Sequence, residues 1–92
     1  STEIPEQYSL EQNYPNPFNP VTKIKFDVPK SSDVKLVVYD LLGSEITTLV
    51  NEKLEAGYYE TDINMTSYAS GVYIYRMEAG PYSSVRRMIL VK

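Results

Sequence analysis

The sequence predicts an all-β sandwich of about seven antiparallel strands, and three observations carry that reading. Clusters of Gly, Pro, Asn, Asp and Ser punctuate the chain at the spacing of short strands. Between them apolar and polar residues alternate with period two, which turns one face of each segment inward. The 92 residues make one domain with a single modest core, burying about 60 to 65 % of the unfolded surface.

A short first strand falls at 8–12. It is followed by Asn13-Tyr14-Pro15-Asn16-Pro17-Phe18-Asn19-Pro20, whose three prolines fix φ, remove backbone donors and push the preceding residues into extended conformation. The result is a stiff, kinked lead-in. Asn13, Asn16 and Asn19 are expected to satisfy local backbone donors in turns, while Tyr14 and Phe18 cover the open end of the sandwich. Pro-x-Pro segments also serve as ligands for aromatic grooves, but a position directly before a strand favours a rigid turn.

Residues 21–28 place Ile24, Phe26 and Val28 on one face and Lys23, Lys25 and Asp27 on the other. Residues 34–41 set Val34, Leu36 and Val38 against Lys35, Val37 and Tyr39, apolar enough for a central strand. Gly43 supplies the φ > 0 position of a hairpin loop. The stretch 44–57 reads two ways. Ile46, Leu49, Val50, Lys53 and Leu54 approach helical spacing, with Ser44 as N-cap and Gly57 as C-terminal stop. Against a helix stand the β-branched run Ile46-Thr47-Thr48 and the hairpin loop upstream.

A strand over 58–63 is followed by a polar crossover, 64–70. Gly71 opens a strand over 72–77 in which Tyr73, Tyr75 and Met77 share a face, and Gly80-Pro81 turns the chain into the last strand, 83–91. Tyr73 stands where such sandwiches often hold a corner tyrosine, its hydroxyl bonded to backbone near Tyr68 or Ala69. The alternative is an ordinary core tyrosine.

Composition removes most chemistry. The chain has no histidine and no cysteine, which eliminates His-assisted nucleophiles, the common zinc sets, the convenient base near neutral pH and any disulfide. Asp27, Asp33, Asp40, Glu45, Glu60 and Asp62 fall in separate turns or on exposed strand faces and build no calcium loop or acid pair. No catalytic residue, cofactor site or metal site is assigned. Nine basic residues in a chain of net charge -3 make no cationic stripe for nucleic acid. No apolar run has membrane-spanning length. Nine tyrosines against two phenylalanines suggest rings buried at edges with hydroxyls reaching water or carbonyls. A sugar-stacking platform would require Tyr58, Tyr59, Tyr68 and Tyr82 to converge. Residues 1–7 read as a linker and 8–92 as the folded domain.

Several blocks in order, Tyr14-Pro15-Asn16-Pro17-Phe18, Val38-Tyr39-Asp40 with Gly43, Ala56-Gly57-Tyr58, Ser70-Gly71-Val72-Tyr73 and the basic then aliphatic end, give the chain a resemblance. It resembles the type A C-terminal sorting domain of the type IX secretion system, from about Tyr8 to Lys92. That family is immunoglobulin-like and similar to the corresponding domain of the flagellar hook capping protein. The resemblance implies an immunoglobulin-like sandwich, a strand over 45–50, and a monomeric, non-enzymatic address that carries an upstream cargo domain across the outer membrane. It also implies transit through the periplasm to the cell surface or medium, recognition by the secretion translocon, and removal by a sortase-like peptidase near residues 1–8, where backbone is extended. The alternative is a structural spacer, scaffold or carbohydrate-binding accessory module of a larger secreted protein.

The end of the chain carries the functional signal. In Arg86-Arg87-Met88-Ile89-Leu90-Val91-Lys92, Met88 and Leu90 are expected to face the core while Ile89 and Val91 point the other way, leaving the second face more apolar than solvent requires. The plain reading is packing under a loop or a strand buried on both faces, with the three cations guarding an edge against aggregation. The functional reading, favoured by the resemblance, is a strand presented to a translocation receptor, by edge pairing among other means.

Overall fold

A computed structural model describes residues 3–92; residues 1 and 2 of the expected linker lie outside the described residues. Seven strands follow one another as β1 (Ser9–Leu10), β2 (Val21–Val28), β3 (Ser32–Tyr39), β4 (Glu45–Leu54), β5 (Gly57–Asn64), β6 (Gly71–Ala79) and β7 (Tyr82–Leu90). They form two antiparallel sheets, β1-β2-β5 and β4-β3-β6-β7. The fourth strand joins β3, β6 and β7, whereas the constant-type immunoglobulin layout puts it in the other sheet.

Alternation places the core between the two sheets. Ile24, Phe26 and Val28 of β2 meet Val34, Leu36 and Val38 of β3, Tyr73, Tyr75 and Met77 of β6, and Met88 and Leu90 of β7. The β2–β5 register runs from Val21↔Asn64 to Val28↔Gly57, and it brings the Phe26 and Tyr59 rings into a stack 5.5 Å apart. Strand β3 lies inside its sheet, as its apolar content predicts, and even Val37 on its outer face is buried. Val37 sits in register between Thr48 and Arg76 on the flanking strands.

Residues 45–54 form a strand, and the helical reading of 44–57 falls for a specific reason. The β3–β4 ladder slips between Leu36 and Val37 and again between Val38 and Tyr39, so that Leu49 and Ile46 are extra residues on β4. Two bulges break strict period-two alternation. The side chains packed against the core become Ile46, Leu49, Val50 and Leu54, whose spacing imitates one face of a helix. The strand also runs further than the expected 45–50, whereas β1 is only two residues long where 8–12 was expected.

Turns behave as their residues dictate. Gly43 has φ +87° in a loop where the Asp40 carboxylate accepts from Leu42 N and Ser44 N, both at 2.9 Å. Gly80, at φ +54°, turns β6 into β7. Gly57 and Gly71 open β5 and β6. The crossover 64–70, read as polar, contributes Met65 to the core. Its amide bonds the Pro20 carbonyl at 2.9 Å, and the side chain is fully buried.

Phe18, 2 % exposed, is the largest core side chain that no strand carries, whereas Leu42 is 92 % exposed at a loop tip. Phe18→Ala should destabilise the domain by about 3 to 5 kcal/mol. Leu42→Ala should stay within about 0.5 kcal/mol. Denaturant midpoints of the two variants check both.

Candidate functional site

Strand β7 has β6 on one side; its other edge is not open. From β1 the lead-in crosses between the sheets and runs beside β7, much as sandwich corners are made by chain that switches sheets. On the β2 side, Glu11 N bonds Lys25 O at 3.0 Å and Tyr14 pairs with Lys23, with bonds of 2.9 and 3.1 Å. On the β7 side the Gln12 amide donates to Arg87 O. The Asn16 side-chain oxygen accepts from Ile89 N at 2.9 Å. Phe18 then forms a parallel bridge with Leu90, its N donating to Ile89 O and its O accepting from Val91 N, each at 2.9 Å. The peptides before Pro15, Pro17 and Pro20 are cis.

One buried hydroxyl anchors this strap. Tyr75 reaches from β6 through the core, accepts from Asn13 N and donates to Glu11 O, both at 2.7 Å. Asn13, itself buried, donates through its side chain to Pro15 O and Thr22 Oγ1, both at 3.1 Å. Burial, slightly offset by the Asn13 amide and the nearby Arg86 charge, pushes the Tyr75 hydroxyl up to about 12.

Asn13 and Asn16 therefore do other work than satisfying local backbone donors. Asn16 serves a strand 73 residues away, and Asn13 donates to Pro15 O and Thr22 Oγ1 while its side-chain oxygen accepts from Gln12 Nε2 at 2.7 Å. Phe18 closes the sandwich as expected. Tyr14 does not: it is 81 % exposed, and pairs through its backbone alone while its ring lies in solvent.

Within 86–92 the side chains divide by alternation. Met88 and Leu90 are buried; Val85, Ile89 and Val91 are exposed with Arg87 among them. Arg86 and Lys92 are cations already engaged by backbone. Arg86 Nε donates to Leu10 O at 2.9 Å. Lys92 Nζ donates to Thr66 O and, at 2.9 Å, to Tyr68 O, and Lys92 N bonds Ser70 Oγ at 3.0 Å. At the start of β6, the Tyr73 hydroxyl donates to Ala69 O at 2.6 Å, and its ring meets Tyr68 edge-on at 6.4 Å.

Elsewhere the surface offers no reacting constellation. An open groove of about 580 Å³ is lined by Glu11, Gln12, Tyr14, Lys23, Lys25 and Glu60, with Lys23 paired to Glu60 at 3.1 Å. Among the described residues no three acidic groups gather to hold a metal ion. The tyrosines do not form one platform. Tyr59 stacks on Phe26, Tyr82 stacks on Tyr8 at 5.3 Å, and Tyr68 meets Tyr73 edge-on, each in a different part of the fold.

A family model described as a secretion system C-terminal sorting domain matches residues 12–92. No curated protein and no solved structure matches the chain.

Two changes probe the strap and its surroundings. Tyr75→Phe leaves Asn13 N and Glu11 O without their partner and should cost about 1 to 3 kcal/mol. The tyrosine is held neutral in the fold while an unfolded one ionises near pH 10. Its contribution is therefore whole below about pH 10 and lost as pH rises toward about 12, and that share of the alkaline decline should vanish in the variant. Asp27 is held above the usual carboxylate range, first by burial and then by the charge of Glu11. Its contribution is whole below the ordinary carboxylate range and is lost as pH rises through the raised value, so ionised Asp27 weighs against folding at neutral pH. Asp27→Asn should raise the unfolding midpoint at pH 7 by a gain of about 0.5 kcal/mol or less, since the group is partly solvated, and give no gain near pH 3.

Proposed function

The chain belongs to the family of secretion system C-terminal sorting domains, and from that premise we propose that its recognised element is the strand end 86–92, read through the exposed side chains of Arg87, Ile89 and Val91. The domain is a sorting signal for type IX secretion; it marks a larger cargo protein for export to the cell surface or extracellular space. Domains of this family act in general as addresses and not as catalysts, and we read this chain as non-enzymatic.

The observation that carries the reading is the outward row of β7 and its continuation. Val85, Ile89 and Val91 are exposed apolar groups in a protein whose other inward-outward alternation leaves mainly polar groups outside, and Arg87 stands among them with a solvent-facing charge. An apolar row around a cation fits a protein receptor, where apolar contact supplies affinity and charge supplies orientation. Arg86 and Lys92 support the element by holding it to Leu10 and to the 64–70 crossover, and Met88 and Leu90 by anchoring it in the core. The partners are components of the secretion translocon and a sortase-like peptidase. We place the domain at 8–92, because Tyr8 stacks on Tyr82 and bonds Ser32 Oγ at 2.8 Å, and the linker, with its cleavage site, at 1–7, although Pro5 is already buried.

Fused behind a folded reporter with a periplasmic signal peptide, residues 1–92 should carry the reporter to the surface or medium of a host with type IX secretion and leave it in the periplasm when the translocon is disrupted. Arg87→Glu should keep the unfolding midpoint within about 0.5 kcal/mol, as an exposed change does, and lower export at least severalfold. Equal export by a folded Arg87→Glu domain removes Arg87 from the recognised set. Retention of the intact fusion in a competent host overturns the assignment as a whole.

A further inference from the structure

We propose that residues 12–18 form a releasable strap over the Arg87–Val91 edge of the terminal strand, and that release opens this edge to strand addition by an extended segment of the secretion machinery. The proposal rests on 86–92 being the recognised element and adds how it becomes available.

The edge now carries four bonds to the strap. Two come from side-chain amides of exposed residues, Gln12 to Arg87 O and Asn16 to Ile89 N; the other two come from one residue, Phe18, to Ile89 O and from Val91 N. The strap cannot do better, because Pro15, Pro17 and Pro20 have no N–H and cannot build a ladder. An incoming strand with a backbone donor and acceptor at every second residue matches Arg87, Ile89 and Val91 through backbone alone, which is what edge addition requires. The strap is therefore a cover that a regular strand can replace on this edge. The Tyr75 hydroxyl holds Glu11 and Asn13, Lys23 holds Tyr14 and the Thr22 hydroxyl holds Pro15 O, so this root stays fixed and what lifts is the segment 16–18, the buried Phe18 ring leaving the core as its two bonds to the edge break. A partner strand bearing an acidic side chain would meet Arg87 beside the exposed Ile89 and Val91.

The test uses the intact domain fused to the reporter, with Gln12→Ala and Asn16→Ala together. Both side chains are exposed; Gln12 Nε2 also donates to Asn13 Oδ1 at 2.7 Å, so Asn16→Ala by itself is the variant that leaves every bond of Asn13, Phe18 and Tyr75 in place. The Val91 amide, whose bond to Phe18 O is untouched by the substitutions, should exchange with solvent about tenfold faster while core amides of β6 keep their protection, and the reporter should reach the surface severalfold sooner. Asn16→Asp, which keeps the acceptor for Ile89 N, should behave as the parent. Asn16→Ala alone provides a milder opening should the double variant lose core protection. Faster Val91 exchange with unchanged export overturns the proposal, since the edge would be open and unread. Slower export by a folded variant overturns it too, because the strap would itself belong to the recognised surface, and unchanged Val91 exchange overturns it as well, because the edge would then not be held closed by these amides. Failure of the parent fusion to be exported strikes instead at the sorting assignment, which the exchange measurement does not touch.

Discussion

The hydroxyl of Tyr75 is the point on which the two ends of the chain depend. It is completely buried, yet it has both of its hydrogen-bonding roles filled by backbone, accepting from Asn13 and donating to Glu11. A phenol in that position is favourable only because those two groups come to it; without them the oxygen would sit unpaired in the core, at a desolvation penalty of about 1 to 3 kcal/mol. The bond pair fixes where the lead-in enters, and entry at Asn13 sets the register by which Asn16 and Phe18 meet Ile89 and Leu90. Polar satisfaction in one core layer thus determines which backbone groups on the edge of β7 are covered.

The same logic accounts for the rest of the polar interior. Among the described residues no buried side-chain nitrogen or oxygen lacks a partner. Thr22, buried on β2, donates to Pro15 O at 2.8 Å and accepts from Asn13, so the carbonyl of a residue that a proline isolates from any ladder still has a donor. Ion pairs contribute little to such an arrangement. Arg76–Glu78 at 2.9 Å and Lys23–Glu60 are both solvent-exposed, where water and salt screen the attraction. The fold is held by burial and by matched backbone groups, and the cations of the terminal segment serve the second role more than the first.

Legibility in the sequence followed the range of the interactions. Strands β2, β3, β6 and β7 were readable because alternation is a local signal and burial acts on it directly: Ile24, Phe26, Tyr73, Tyr75, Met88 and Leu90 face inward as their spacing requires. Strand β4 was ambiguous because two bulges, which depend on pairing with β3, rewrote its spacing. Met65 was hidden in a polar stretch because a single apolar residue has no periodicity. The strap was least legible. That Asn13-Pro20 is stiff follows from proline chemistry, but the partners that seat it on β6 and β7 lie more than sixty residues away, and no local pattern distinguishes an asparagine that makes a turn from one that reaches a distant strand. The same holds for Arg86 and Lys92, whose charges look free in the sequence and are spent on carbonyls in the fold.

The pairing of Phe18 with Leu90 also orders events in time. Contacts between segments so far apart in the chain form late, because loop closure must precede them. As the polypeptide emerges from the ribosome, the Pro-rich segment is made early and waits, its phenyl ring uncovered, until β7 has been synthesised. An interrupted translation product that stops before Ile89 has neither the amide that Asn16 accepts nor the strand on which Phe18 rests. Closure of the sandwich at this side therefore requires β7, and the address can be legible in its native form only on molecules in which that strand has been made.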